Sequence, residues 1–196
     1  LDQKVNFRTQ SLIPLKAFHL GLNSVLPFDI RVVDAQEVSL DFISRKAAKQ
    51  KTYSYYFTQG THLPTLLRHQ SWFLTKEINW EKIESCFPYL QGKRDFKSFQ
   101  ASDCEGTKTL RTIDSIVLSY PLPQFPTQNM RLTRLTFQGK SFLKHMIRNI
   151  VGSLVWVGMG KLDPHNFAEI VAAKDRTKAG PCAPPQGLFL ERVILL

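Results

Sequence analysis

The chain has 196 residues, enough for one large domain or two small ones with an ample core. Its apolar content of 43% excludes disordered, collagenous and low-complexity classes, and its longest apolar run, around residues 150–159, is too short for a membrane span. The net charge of +10 divides into +5 in residues 1–98 and +5 in residues 99–196. The positive field therefore belongs to the folded surface rather than to a tail, as in proteins that track a phosphate backbone; a merely soluble basic protein is the other reading.

Residues 4–8 (KVNFR) already alternate like a strand, so the chain opens as if inside a domain. Residues 14–22 predict a helix that stops at Gly21 to Asn23, and residues 30–38 predict a strand after a turn at Pro27 to Asp29. The clearest strand is 51–58 (KTYSYYFT), because β-branched and aromatic side chains favour a pleated surface. Residues 60–68 carry turn residues, and Pro64 argues against a strand through them. A helix over 79–90 is expected with Asn79 as N-cap and Glu81 in its first turn.

Two strands, 110–120 and 131–138, are expected on either side of a loop with Pro121, Pro123 and Pro126. The spacing of apolar residues then predicts a largely buried helix over 142–157, stopped by Gly158 and Gly160. Asp163 caps a helix over 164–174 with proline at its first position. Residues 179–187 (AGPCAPPQG) must be irregular, and 188–195 close as a strand. Alternating strands and helices without a long linker give an α+β protein with mainly antiparallel sheets.

Within the 142–157 helix ten of sixteen residues are apolar, and Arg148 stands in their midst. An arginine cannot shed its charge, so a buried one needs a hydrogen-bonded anion or a bound substrate. The bland reading is a guanidinium that snorkels at the edge of the apolar face. Residues 41–56 (DFISRKAAKQKTYSYY) lead four cations, Arg45, Lys46, Lys49 and Lys51, into a strand with three tyrosines. Alternation puts Tyr53 and Tyr55 on one face and Tyr56 on the other. Such rings can stack on an unpaired base while cations hold phosphates, or they can simply fill a core. Residues 92–112 form a second basic and aromatic stretch, equally readable as a groove wall or as a solvated loop. Cys86, Cys104 and Cys182 are widely spaced and form no ligand pair with the five histidines, which points to a cytoplasmic location and against a structural zinc.

In order, the runs GLNSVLPFDIRV, DFISRKAAKQKTYSYYF, GKRDFKSFQASDC, LRTI, FLKHMIRNIVGSLVWVGMGKL and AAKDRTKAGPCAPPQGLFLERV resemble the tRNA pseudouridine synthase A family over essentially the whole chain. That resemblance implies an isomerase that converts uridine to pseudouridine in the anticodon stem-loop of tRNA, with neither metal nor organic cofactor. It implies two ferredoxin-like halves joined in one continuous sheet, a homodimer, and no membrane partner. Residues 1–50 would be the remainder of an incomplete N-terminal half and residues 51–196 the C-terminal half. Tyr53 would pack on the flipped uracil and could help remove its C5 proton. Arg148 would pair with the nucleophilic aspartate and steady the displaced base, and Leu188 would wall the pocket. Arg45 and Arg111 stand where the family shows basic residues near the cleft.

The chain departs from the family in having no GRTDAGVHA-like segment, which carries that aspartate just before a strand whose start looks like LDQKVNF. None of its own aspartates stands in that place: Asp2 lies downstream of the motif and Asp175 belongs to the AAKDRTKAG segment. A chain beginning at Leu1 is accordingly expected to be inactive alone, and to lose about 3–5 kcal/mol through an unpaired buried Arg148. A second reading is a non-catalytic tRNA-binding protein on the same scaffold. A third, a partner of DNA or of another protein, ranks last because no recognition helix or zinc finger is visible.

Overall fold

The computed structural model describes residues 3–104, 106–120 and 130–195. It contains two compact units, Lys4–Ala47 and a larger one from Ala48 onward. The smaller unit holds helix α1 (Leu15–Val25) and the short helix α2 (Ser44–Ala47). The expected stop of α1 at residues 21–23 does not occur; the Leu26 N–H closes the last turn on the Leu22 carbonyl at 3.0 Å.

The strands expected over 4–8 and 30–38 are absent. A strand requires a neighbour's ladder, and here side-chain amides take its place. The Asn23 amide both accepts from the Val32 N–H at 2.8 Å and donates to its carbonyl at 2.9 Å. Asn6 likewise accepts from the Ser44 N–H at 2.9 Å and donates to the Phe42 carbonyl at 3.2 Å.

The larger unit is built on strand β1 (Ala48–Gln59). One edge of β1 pairs antiparallel with β6 (Arg131–Gly139), which pairs antiparallel with β5 (Ser115–Ser119). Along its other edge, β7 (Leu188–Leu195) runs antiparallel to residues 48–55 and β2 (Trp72–Leu74) runs parallel to 57–59. A second, two-stranded sheet pairs β3 (Gly92–Asp95) with β4 (Leu110–Ile113). The fold is thus α+β with a mainly antiparallel sheet. Its core gathers Tyr55, Phe57, Leu135 and Phe137 of the sheet with Ile147, Ile150, Val151 and Leu154 of helix α5 (Met146–Gly158).

Four further boundaries depart from the sequence reading, each for a local reason. The helix expected over 79–90 is two short ones, α3 (Trp80–Glu84) and α4 (Phe87–Leu90). Pro88 lacks an N–H, and its ring would meet the Glu84 carbonyl of a continuous helix. Asn79 does cap α3, accepting from the Lys82 N–H at 2.9 Å. The strand expected over 110–120 divides at Asp114, whose N–H turns to the Gln138 carbonyl at 2.7 Å as the chain passes from the small sheet to the large one.

Helix α5 starts at Met146 rather than at residue 142, because His145 has φ +59°, outside the right-handed helical region. Helix α6 (Asn166–Ala173) starts two residues later than expected and is not capped by Asp163, which closes a turn ahead of it: its carboxylate accepts from the His165 N–H at 2.8 Å and its carbonyl from the Asn166 N–H at 3.1 Å. The strands β2 and β3, three and four residues long, were not expected. The proline loop of 121–129 lies outside the described residues. No helix among the described residues is long and apolar enough to cross a membrane.

Candidate active site

Eleven of the thirteen residues of α5 are buried, and Arg148 is one of the two that are not. It sits in the first turn, where the helix's own unpaired N–H groups already carry partial positive charge. A cation there is unfavourable for the helix and attractive to an anion. The guanidinium is partly buried, and its Nε donates to the Ala183 carbonyl at 2.6 Å. Among the described residues no carboxylate lies within ion-pair distance of it. Partial exposure and that carbonyl reduce the penalty expected for an enclosed, unpaired cation, so the full 3–5 kcal/mol does not apply.

Ala183 belongs to a strap, residues 176–187, that lies along α5. The Arg176 guanidinium fastens its start, donating to the Gly180 carbonyl at 2.9 Å and to the Asn149 side-chain oxygen at 3.1 Å. Asn149 is 2% exposed and donates in turn to the Phe99 carbonyl at 2.9 Å. The buried Ser153 hydroxyl accepts from the Gly180 N–H at 2.8 Å, and the Ala183 N–H reaches the Arg148 carbonyl at 3.0 Å. Contact this close requires Gly152: a Cβ there would fall 1.7 Å from the Pro181 carbonyl oxygen. Asp175 shapes the approach to the strap, accepting from the Thr177 N–H and hydroxyl, bonds that hold its carboxyl below the usual range.

Beyond the strap stand the residues of β1 and β7. Tyr53 and Tyr55 share one face of β1, as alternation requires, but differ in role. Tyr55 is fully buried; its hydroxyl donates to the Pro184 carbonyl at 2.7 Å. Burial pushes its phenol well above the ordinary value, against the opposing field of the nearby Arg148 guanidinium. Tyr53 is only partly buried and meets Phe142 edge-on, ring centres 5.3 Å apart; desolvation raises its phenol too. Leu188, the first residue of β7, stands opposite Tyr55 in register, and Leu190 stands opposite Tyr53, just before a bulge shifts the register to Thr52 opposite Arg192. On the other face, the Tyr56 hydroxyl donates to the Glu191 carboxylate at 2.8 Å.

The structure therefore brings Arg148 and Leu188 together around Tyr55 and places Tyr53 farther along the same strand face. Arg111 is on β4 opposite Arg94, with its Nη1 donating to the Lys108 and Leu110 carbonyls. Arg45 is exposed on α2 in the smaller unit. Asn149, Gly152 and Arg176 were not singled out from sequence, and Tyr55, named there as a ring that could stack on a base or fill the core, does the second. Their signal was present: Asn149, Gly152 and Ser153 are polar or small positions on an otherwise oily helix, which marks where another backbone comes close. Among the described residues no three His, Cys, Asp or Glu side chains are grouped as a metal would need.

Comparison with known proteins bears on the same residues. The family described as tRNA pseudouridine synthase matches residues 87–194, which include Arg111, α5, the strap and β7. The tRNA pseudouridine synthase A of Caldicellulosiruptor bescii is 38% identical over 194 residues, 99% of this chain and 76% of that protein. That of Thermoanaerobacter sp. strain X514 is 37% identical with the same coverage. The Myxococcus xanthus protein is 36% identical over 187 residues, 95% of this chain and 68% of its own length. With relatives this similar along nearly its whole length, the chain belongs to the tRNA pseudouridine synthase family.

Proposed function

We propose that this protein is a tRNA pseudouridine synthase in which Arg148 is the cation of the reacting site. The observation that carries the reading is the placement of Arg148: its Nε is bound to the Ala183 carbonyl, while its terminal nitrogens have no partner among the described residues. A fork held at one end and open at the other suits a carboxylate, which it pairs with and keeps ionised. The substrate uridine is flipped out of the anticodon stem-loop. An aspartate attacks the nucleotide, the N1–C1′ bond breaks, and the freed uracil turns. A C5–C1′ bond then forms as the aspartate–C1′ bond breaks and releases the carboxylate, C5 loses its proton to solvent and N1 gains one.

Tyr53 packs on the displaced uracil. Burial keeps its phenol protonated, which favours that packing role over removal of the C5 proton. Leu188 gives the apolar wall, and Arg45 and Arg111 hold backbone phosphates. We place the enzyme in the cytoplasm as a homodimer of ferredoxin-like halves in one continuous sheet, residues 1–50 in the first half and 51–196 in the second.

The 196 residues contain no GRTDAG-like motif. The test therefore uses the protein expressed from its complete reading frame, with the 196-residue chain alongside. Both are given tRNA carrying 5-tritiated uridine. Tritium release by the former alone supports the reading; release by the 196-residue chain overturns the assignment of the nucleophile. tRNA binding with no release by either protein marks the non-catalytic alternative.

A further inference from the structure

We propose that Tyr55 is a positioning residue that sets Arg148 and Leu188 through the strap between them; this rests on the reading of Arg148 as the active-site cation. Tyr55 lies under both ends of the short segment 183–188. At one end its hydroxyl donates to the Pro184 carbonyl at 2.7 Å. The residue before, Ala183, exchanges two hydrogen bonds with Arg148: its carbonyl accepts from Nε at 2.6 Å and its N–H donates to the Arg148 carbonyl at 3.0 Å. At the other end the chain passes directly over the ring, since a Cβ on Gly187 would fall 2.7 Å from two of its carbons. Leu188 follows at once, in register opposite Tyr55.

The prolines at 184 and 185 stiffen the segment, so a displacement at Pro184 is passed to Ala183 rather than absorbed. Tyr55 is fully buried and acts from beneath the strap. Without its hydroxyl the Pro184 carbonyl loses its anchor. The Arg148 guanidinium then samples orientations in which its open fork no longer faces the reacting atoms.

The test is hydrogen exchange of the Arg148 Nε proton, followed by NMR on 15N-labelled protein in the wild type and in Tyr55→Phe. The expected result is exchange faster by roughly fivefold or more, the factor that loss of one hydrogen bond gives, with the amides of Ile150 and Leu154 unchanged. A smaller change, or equal acceleration of those core amides, overturns the proposal. Should Tyr55→Phe not fold, the wild type alone decides. Protection of the Tyr55 hydroxyl proton and of the Arg148 Nε proton should then agree within about tenfold, as for bonds that open together, and a larger difference overturns it. The measurement needs no turnover, so its failure is distinct from a failure to release tritium.

Discussion

Gly152→Ala sets two opposing effects against each other within α5. In an exposed helix interior the change would stabilise by about 1 kcal/mol, the difference in helix propensity. Here the new methyl would lie 1.7 Å from the Pro181 carbonyl oxygen, 2.9 Å from its carbon and 3.2 Å from the Ala183 nitrogen. All three are backbone atoms, so the strap must lift. Lifting it breaks the Gly180 to Ser153, Ala183 to Arg148, Arg148 to Ala183 and Tyr55 to Pro184 bonds. At a net value of about 1 kcal/mol each, their loss costs about 4 kcal/mol, and the propensity gain leaves about 3 kcal/mol of destabilisation. For a chain of this size that lowers the Tm by roughly 6–12 °C. Urea unfolding followed by circular dichroism should show a lower midpoint with an unchanged slope. A variant as stable as the wild type, or more so, would show that the strap does not press on α5.

Other perturbations read different parts of the same structure. Asn149→Ala removes the acceptor of Arg176 and the donor to Phe99 inside the core, and should cost about 2–3 kcal/mol in thermal unfolding; a cost of less than about 1 kcal/mol would mean that the strap is fastened elsewhere. The Asp95 carboxyl is held below its ordinary value first by the Thr109 hydroxyl and then by Lys174. Its contribution is therefore present above the unfolded value of about 3.9 and is lost as the pH falls through the lower folded one. Asp95→Asn should accordingly lower the urea midpoint at neutral pH and match the wild type in strong acid; an equal deficit at both would refute the coupling. Cys86 is buried and its thiol is pushed up to about 11, whereas backbone and Gln100 hydrogen bonds lower Cys104. A thiol reagent at mildly alkaline pH should label Cys104 first and Cys86 only on unfolding.

The elements legible in the sequence were those whose pattern is local. The KTYSYYF alternation marks β1, the oily run after His145 marks α5, and Asn79 caps its helix as its residue type suggests. What escaped depends on partners distant in the chain. KVNFR alternates like a strand, yet Asn6 bonds the chain near Phe42 and Ser44 and no ladder forms. Of the candidate residues, Arg148 was marked by charge within an apolar helix. The separate fates of Tyr53 and Tyr55 were not visible, because only the strap, a hundred and more residues later, buries one and leaves the other partly open. The strap itself reads as a featureless proline-rich loop until Gly152 and Asn149 show what it lies against.

The claim on which the account turns is that the Arg148 guanidinium faces the reacting nucleotide. Tritium release from 5-tritiated uridine in tRNA, by the protein expressed from its complete reading frame and by its Arg148→Lys variant, measures this directly. Lysine keeps the charge but loses the planar fork and the Nε donor to Ala183. The predicted result is a folded variant that still binds tRNA and releases tritium at least about 100-fold more slowly, the loss typical of one preorganised donor at a reacting centre. Release at the wild-type rate would contradict it.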